Sequence, residues 1–378
     1  MKLSVLHLVR TLDPATGGPI EFVKRICEAQ TYHGVDSKII SLDSGKETWC
    51  QKPDVSVLAA GPGLGKYGYN RKFRELLRHE MHLFDLMIVH GLWQYHGSCA
   101  LDVARELGKP YHVFPHGMLD PWFKRKFPIK HSKKQIYWVL KERSILVNAK
   151  TVLFTSDREQ GQACATYWPR VSYRSRVVPL GVTPPARDLE LLRQRFLNRF
   201  PGLRNGRFLL FLGRLAPKKG CDLLIRAMTQ IGPPLRLVVA GPDSTPAYGR
   251  YLRRLAKGLP VTFTGLLESE LKWGALAAAD ALILPSHQEN FGLVVAEALA
   301  AGLPVLTSDQ VNTSPLIESY GAGLVEADTF AGTGRLIERW LTADRHSFSL
   351  AAKTCFRDHF DIETTSERLL ELLIDTKR

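Results

Sequence analysis

Ala281-Leu-Ile-Leu-Pro-Ser-His-Gln-Glu-Asn-Phe-Gly-Leu-Val-Val-Ala-Glu-Ala-Leu-Ala-Ala-Gly302 reads as an apolar strand, a polar turn and an apolar helix in direct succession. That succession is the repeating unit of parallel sheets covered by crossover helices. The turn carries Glu289, and Glu297 follows eight residues later inside the helical stretch Val294–Ala301, which Gly302 closes. Ligands of open α/β sheets gather beyond the carboxyl ends of strands, where this turn lies. The start of a helix adds unpaired N–H groups and a positive dipole end. Two carboxylates can accept hydrogen bonds from a polyol while those N–H groups hold a phosphate, so the stretch suits a nucleotide-sugar. An ordinary strand–helix turn with an acidic first turn has the same appearance.

The unit repeats along the chain. In the first half, strands are expected at Leu3–Val9, Lys38–Leu42, Val55–Ala59, Leu86–His90, Tyr111–Pro115, Val152–Thr155 and Val177–Pro179. In the second they are expected at Phe208–Leu212, Leu235–Ala240, Val261–Thr264, Ala281–Pro285, Pro304–Thr307 and Gly323–Val325. Each half opens on a strand, a Gly-containing loop and a helix, which makes two doubly wound α/β domains in tandem. The expected boundary is Leu180-Gly-Val-Thr-Pro-Pro185, giving an N-terminal domain over 1–182 and a C-terminal one over 183–359. Two such domains facing each other leave a cleft lined by both sets of strand ends.

The 378 residues are too many for one ordinary core, and 45% hydrophobic with 23% charged content is that of a globular protein. The six cysteines, at 27, 50, 99, 164, 221 and 355, form no C-x-x-C pair. Neither a disulfide frame nor a zinc knuckle is indicated, which fits a reducing cytosol. Met1–Arg10 holds too short an apolar run for a signal peptide, and no stretch is long and uncharged enough to span a bilayer. The net charge of +14 is uneven: residues 1–184 carry 27 Lys+Arg against 16 Asp+Glu, the remainder 24 against 21. Nucleic acid, an anionic bilayer or an anionic substrate would each account for a basic first half.

Several loops at strand ends carry candidate chemistry. Gly213-Arg214-Leu-Ala-Pro-Lys-Lys219-Gly220 offers the planar fork of an arginine and the point charge of a lysine, a combination suited to a diphosphate. Gly17-Gly18-Pro19 would let a backbone approach a ligand closely. Pro115-His116-Gly-Met-Leu-Asp120-Pro-Trp122 and His90-Gly-Leu-Trp93 each place a histidine at a strand end, where it could polarise a substrate or handle a proton near neutral pH. Asp120 also suits the start of a turn before Pro121. Gly61-Pro-Gly63-Leu-Gly65-Lys66 matches neither a P-loop, since Tyr67 stands where Ser or Thr would meet magnesium, nor the last glycine of a dinucleotide fingerprint.

Taken together, Pro285-Ser-His-Gln-Glu289-Asn-Phe-Gly-x-x-x-Ala-Glu297-Ala-Leu-Ala-x-Gly-x-Pro and Gly213-Arg214-x-x-x-x-Lys219-Gly220 resemble the retaining family 4 glycosyltransferases, which have the GT-B fold. The motif order matches from the first strand to beyond residue 310. Pro-His-Gly-Met-Leu-Asp-Pro-Trp is similar to members from bacterial exopolysaccharide pathways. The resemblance implies that Arg214 and Lys219 grip the diphosphate, that Gly18 closes over it, and that Glu297 accepts the ribose hydroxyls. Glu289 and the backbone around Asn290, Phe291 and Gly292 would hold the sugar and pyrophosphate, with His116 near the anomeric side. Leu266 would border the base, and Gly17, His90, Asp120, Gly213 and Gly241 would complete the substrate site. It further implies that the final helix, within 360–378, returns to the first domain.

On this reading the chain moves a sugar from a UDP- or GDP-sugar to a saccharide or lipid-linked saccharide acceptor, with no cofactor and no metal. Arg214, Lys219 and a helix N-terminus would stabilise the departing diphosphate, and no Asp-x-Asp occurs. Front-face transfer, with the departing phosphate taking the acceptor's proton, is favoured over Asp120 as nucleophile. A GT-B nucleotide-sugar epimerase and a basic nucleic-acid-binding protein are the alternatives, although no RNA-binding signature or recognition helix is evident. Residues 124–134 hold six Lys/Arg and no acid, beside Trp122, Phe123, Phe127, Tyr137 and Trp138. That mixture suits an anionic membrane surface met by a peripheral, cytoplasmic enzyme.

Overall fold

The computed structural model describes residues 3–51, 55–231 and 235–377. Two parallel sheets organise it. The first has seven strands: β1 (Ser4–Leu8), β2 (Asp36–Ser41), β3 (Ser56–Ala59), β4 (Leu86–His90), β5 (Tyr111–Phe114), β6 (Thr151–Phe154) and β7 (Ser175–Val177), in the order β3-β2-β1-β4-β5-β6-β7. The second has six: β8 (Phe208–Leu212), β9 (Arg236–Ala240), β10 (Val261–Gly265), β11 (Ala281–Leu284), β12 (Val305–Ser308) and β13 (Gly323–Glu326), in the order β10-β9-β8-β11-β12-β13. Both sheets are doubly wound, as expected. The last strand of the first sheet begins earlier than Val177, because Ser175 pairs with Val152 on β6.

Near-continuous apolar runs build these strands because both faces are covered. Phe208-Leu-Leu-Phe-Leu212 is buried throughout, and so is Ala281-Leu-Ile-Leu284. In the first sheet Leu6, Leu8, Val89, Val113, Val152 and Phe154 belong to one core cluster. Against that background β1, β4 and β5 each bury a histidine: His7, His90 and His112. Buried polar groups require partners, so these three mark the sheet as more than a scaffold.

The chain separates into two compact units, Met1–Gly181 with Ile362–Arg378, and Val182–Asp361. The terminal helix Ile362–Lys377 lies with the first unit. His33 Nε2 is 2.8 Å from Glu363 Oε2, and Thr376 Oγ1 is 3.3 Å from His112 Nε2. Gly181 admits the helix closely, since a Cβ there would lie 2.6 Å from the Ile362 Cα.

In each sheet the strand order reverses between the first strand and a later one, β1 beside β4 and β8 beside β11. Chains leaving two such neighbours run to opposite faces and leave a crevice at their carboxyl ends. The Gly17 loop and His90 lie at one reversal, with the His116 loop one strand further on; Gly213, Lys219 and Glu289 lie at the other.

Candidate functional site

In the second unit, close backbone approach brings the basic loop to the acidic turn. Gly241, just after β9, would place a Cβ 2.0 Å from the Gly213 carbonyl oxygen, so no other residue fits. Leu215 N–H donates to Pro242 O at 2.9 Å and Ser244 N–H to Leu215 O at 3.0 Å, fixing the loop after Arg214. Gly220 has φ of +65°, and a Cβ there would sit 2.0 Å from the Pro285 carbonyl oxygen. The turn Pro217–Lys219 is therefore pressed against the segment that follows β11. His287 N–H donates to Lys218 O at 2.8 Å, and Lys218 Nζ to Gln288 Oε1 at 3.1 Å.

The consequence is a contact between Lys219 Nζ and Glu289 Oε2, both largely buried. Burial pushes the Lys219 ammonium down to about 7, and the Lys218 and Arg214 charges add to it. The Glu289 carboxylate pulls the other way, since an opposite charge at contact favours the ionised form. Arg214 is exposed, with no ion-pair partner among the described residues. One cation is thus held within the site and one is presented to solvent.

Glu289 itself is fixed through its backbone: its N–H donates to Gln310 O at 3.3 Å and its carbonyl accepts from Asn312 N–H at 3.0 Å. Asn312 Nδ2 donates to Asn290 Oδ1 at 3.3 Å, and Thr313 Oγ1 to the Phe291 carbonyl at 3.2 Å. Gly292, with φ of +72°, caps the helix Leu293–Ala300, so the first helical N–H groups open beside Glu289. Glu297 is buried on that helix, with Lys272 Nζ 2.5 Å from its Oε1. Lys272 gave no signal in the sequence, because it comes from another helix, Ser269–Ala278. Leu266 follows β10 directly and is 60% exposed.

In the first unit, Gly17 takes φ of +100° and caps the helix Gly18–Tyr32, with Pro19 in its first turn. His116 has φ of +50°, a left-handed conformation uncommon for any side chain but glycine. Glu159 holds the loop in that shape: its Oε1 accepts from Gly117 N–H at 2.6 Å, and its Oε2 from Thr155 N–H and Oγ1 at 2.7 and 2.6 Å. Sequence reasoning missed Glu159, which no motif marks. Asp120 Oδ1 accepts from Trp122 N–H at 2.7 Å, the turn-forming role open to it.

The histidines differ from the sequence expectation of proton handling near neutral pH. Burial pushes His116 down to about 3 and His90 well below the usual imidazole range, so both rings are neutral at pH 7. His90 Nδ1 lies 3.0 Å from His116 Nε2. Close by, Trp93 also has a positive φ, +69°, and donates its N–H to Glu142 Oε1 at 2.8 Å.

Residues 195–353 match the family model described as glycosyl transferases group 1, and residues 17–181 match the glycosyl transferase 4-like domain. D-rhamnosyltransferase WbpZ of Pseudomonas aeruginosa is 24% identical over 90% of this chain and 86% of its own. A D-inositol 3-phosphate glycosyltransferase of Xylanimonas cellulosilytica is 34% identical over 43% of this chain, but the match spans only 42% of that protein. Among solved structures, sucrose-phosphate synthase of Thermosynechococcus elongatus has a TM-score of 0.77 at 21% identity, covering 99% of both chains. Anabaena HepE in complex with UDP-glucose has a TM-score of 0.76 at 18% identity, covering 99% of this chain and 100% of its own. With two parallel sheets wound in this way and both halves matched in order, the chain belongs to the family 4 glycosyltransferases of the GT-B fold.

Proposed function

We propose that this protein transfers a sugar from a nucleoside-diphosphate-sugar to a saccharide or lipid-linked saccharide acceptor, with retention and without metal, in cell-surface glycan synthesis. The observation that carries the reading is the cationic cradle of Lys219 and exposed Arg214 beside the start of the helix Leu293–Ala300, with the carboxylates of Glu289 and Glu297 next to it. A diphosphate leaving group needs that positive charge at fixed positions, and the carboxylates suit sugar and ribose hydroxyls. Arg214 and Lys219 bind the diphosphate, Glu289 the sugar, Glu297 the ribose, and His116 acts at the sugar.

The test is a thermal-shift panel of UDP, GDP and their sugars, followed by product analysis with and without saccharide acceptors. UDP-glucose, the ligand of the HepE neighbour, is the first donor to try. One nucleoside diphosphate should stabilise the protein by mass action, about 2.7 kcal/mol at a hundredfold excess over Kd. Transfer should survive EDTA. The absence of any nucleotide stabilisation sinks the cradle assignment, a strict need for added magnesium sinks metal independence, and a free epimerised sugar formed without acceptor replaces transfer with epimerisation.

The acceptor side is proposed to work on the cytoplasmic face of an anionic membrane. No helix among the described residues is long and apolar enough to cross one. Support comes from the helices Trp122–Lys126 and Pro128–Tyr137 with the turn Trp138–Glu142. Trp138 is buried and Tyr137 packs on Tyr67, so these two aromatics are not available to a bilayer. Ile129, Ile136 and Leu140 stand in their place, 77%, 63% and 72% exposed, spaced to share one helical face beside Phe123 and Phe127. Lys124, Arg125, Lys126, Lys130 and Lys133 are exposed along the same two helices, and each basic residue near the surface adds about 1 kcal/mol on acidic lipid. The protein should co-sediment with vesicles containing phosphatidylserine at low salt and lose that binding when 124–126 and 133–134 are neutralised. Ile136→Asp with Leu140→Asp should weaken it as well. No binding at low salt leaves a soluble acceptor.

A further inference from the structure

Glu297 and Lys272 form an ion pair in the second unit that joins two helices, Leu293–Ala300 and Ser269–Ala278. Lys272 Nζ lies 2.5 Å from Glu297 Oε1 and stands 5.7 Å from the centre of the buried Trp273 ring. Oε2 of Glu297 accepts no hydrogen bond among the described residues. The carboxylate side chain is 7% exposed and the lysine 22%, so the pair is nearly enclosed but not sealed.

Glu297 shares a helix face with Leu293 and Val294, which are half-buried at the start of the helix. Helical side chains lean back over the preceding turn, which carries the carboxylate toward the helix start and its open N–H groups. The segment that delivers Lys272 leaves β10 and passes exposed Leu266 before its helix begins. An enclosed carboxylate is costly without a compensating charge, and Lys272 supplies that charge through a single oxygen. Oε2 and a second lone pair on Oε1 remain as acceptors not engaged by the ammonium. A ribose offers two O–H donors on adjacent carbons, which those acceptors match. We propose that Lys272 is a positioning residue that locks the Glu297 carboxylate for both ribose hydroxyls and so makes this site choose ribonucleotides over 2′-deoxyribonucleotides. The role rests on the assignment of Glu297 to the ribose; the ion pair itself does not.

A 2′-deoxy nucleotide lacks one of the two donors and leaves a charged acceptor in the site without its partner. A site built to bond a hydroxyl rejects the analogue that lacks it for that reason. A ribonucleoside diphosphate should therefore bind roughly tenfold or more tighter than its 2′-deoxy counterpart. Arg214 takes no part in the choice, because the diphosphate is common to both.

The measurement is calorimetric titration of the full chain with UDP against 2′-deoxy-UDP, and with GDP against 2′-deoxy-GDP. In Lys272→Met the preference should collapse to about twofold or less, since the carboxylate is no longer held. Lys272→Arg should restore most of it, because an arginine also grips a carboxylate oxygen. Arg214→Ala should weaken both members of a pair alike and keep their ratio. Lys272→Met leaves Glu297 unpaired in a nearly closed site, so thermal unfolding monitors its folding. Lys272→Met with Glu297→Gln removes that cost and should show the same collapsed preference. A preference kept in folded Lys272→Met overturns the positioning role while leaving Glu297 on the ribose. A preference kept in Glu297→Ala overturns the ribose assignment, and the proposal with it. Equal binding of ribo- and deoxynucleotide by the wild type overturns the proposal at once, whether or not any variant folds. No binding of any nucleotide removes the donor reading as well.

Discussion

Lys219→Ala is expected to cost the protein its donor and part of its stability together. A charge-assisted contact to a partly desolvated phosphate is worth about 1.5–3 kcal/mol, so affinity for the nucleoside diphosphate should fall roughly ten- to a hundredfold. The same change removes the cation opposite Glu289, whose carboxylate is largely buried. Breaking a buried pair from one side costs about 3–5 kcal/mol at full burial, and somewhat less here. Lys219→Met with Glu289→Gln should therefore regain most of the lost stability without regaining nucleotide binding. Arg214→Ala should weaken binding with almost no change in stability, because that side chain is exposed. Denaturant midpoints and nucleotide titrations on the four proteins separate the effects. Full nucleotide affinity in Lys219→Ala removes the diphosphate assignment; a double variant no more stable than the single one removes the ion pair as a structural element.

Acid should melt the first unit before the second. His7, His96 and His112 are held neutral by burial, with pKa values pushed down to about 4, and His90 lies well below its usual range. An unfolded histidine takes up a proton near pH 6.5, so below that point the unfolded chain binds more protons than the folded one. The stability these groups allow is complete above about pH 6.5 and is lost as the pH falls toward their folded values. By about pH 5 the loss is about 2 kcal/mol for each of His7, His96 and His112. Glu142 runs the other way: burial raises it to about 7, so protonation on acidification relieves a cost and offsets roughly one histidine. The balance is still a large share of an ordinary domain's stability. All these histidines lie within Met1–Gly181. Hydrogen exchange at about pH 5 should show that unit losing protection while Val182–Asp361 keeps it, and equal behaviour of the two units would remove the buried neutral histidines as the cause.

The sequence alone determined the two sheets, because its signals are local. Apolar runs such as Phe208–Leu212 and Ala281–Leu284, punctuated by glycine and proline, require no knowledge of distant residues. The same locality made the Arg214–Lys219 loop and the Glu289–Glu297 turn legible as strand-end motifs. What joins those motifs is decided by tertiary structure. Lys219 meets Glu289 because β8 lies beside β11 and Gly220 lets the two loops touch, a contact no spacing predicts. Lys272 beside Glu297, and Glu159 beneath the His116 loop, likewise come from elements brought in by packing. The outward face of residues 124–142 was legible in its basic charge but not in its apolar part, since only packing decides that Trp138 turns inward while Ile136 and Leu140 face solvent. His116 shows the division most sharply. Its place at a strand end was readable, but its neutrality follows from burial and its contact with His90 from strands brought side by side, and neither burial nor strand adjacency is written in the residues around it.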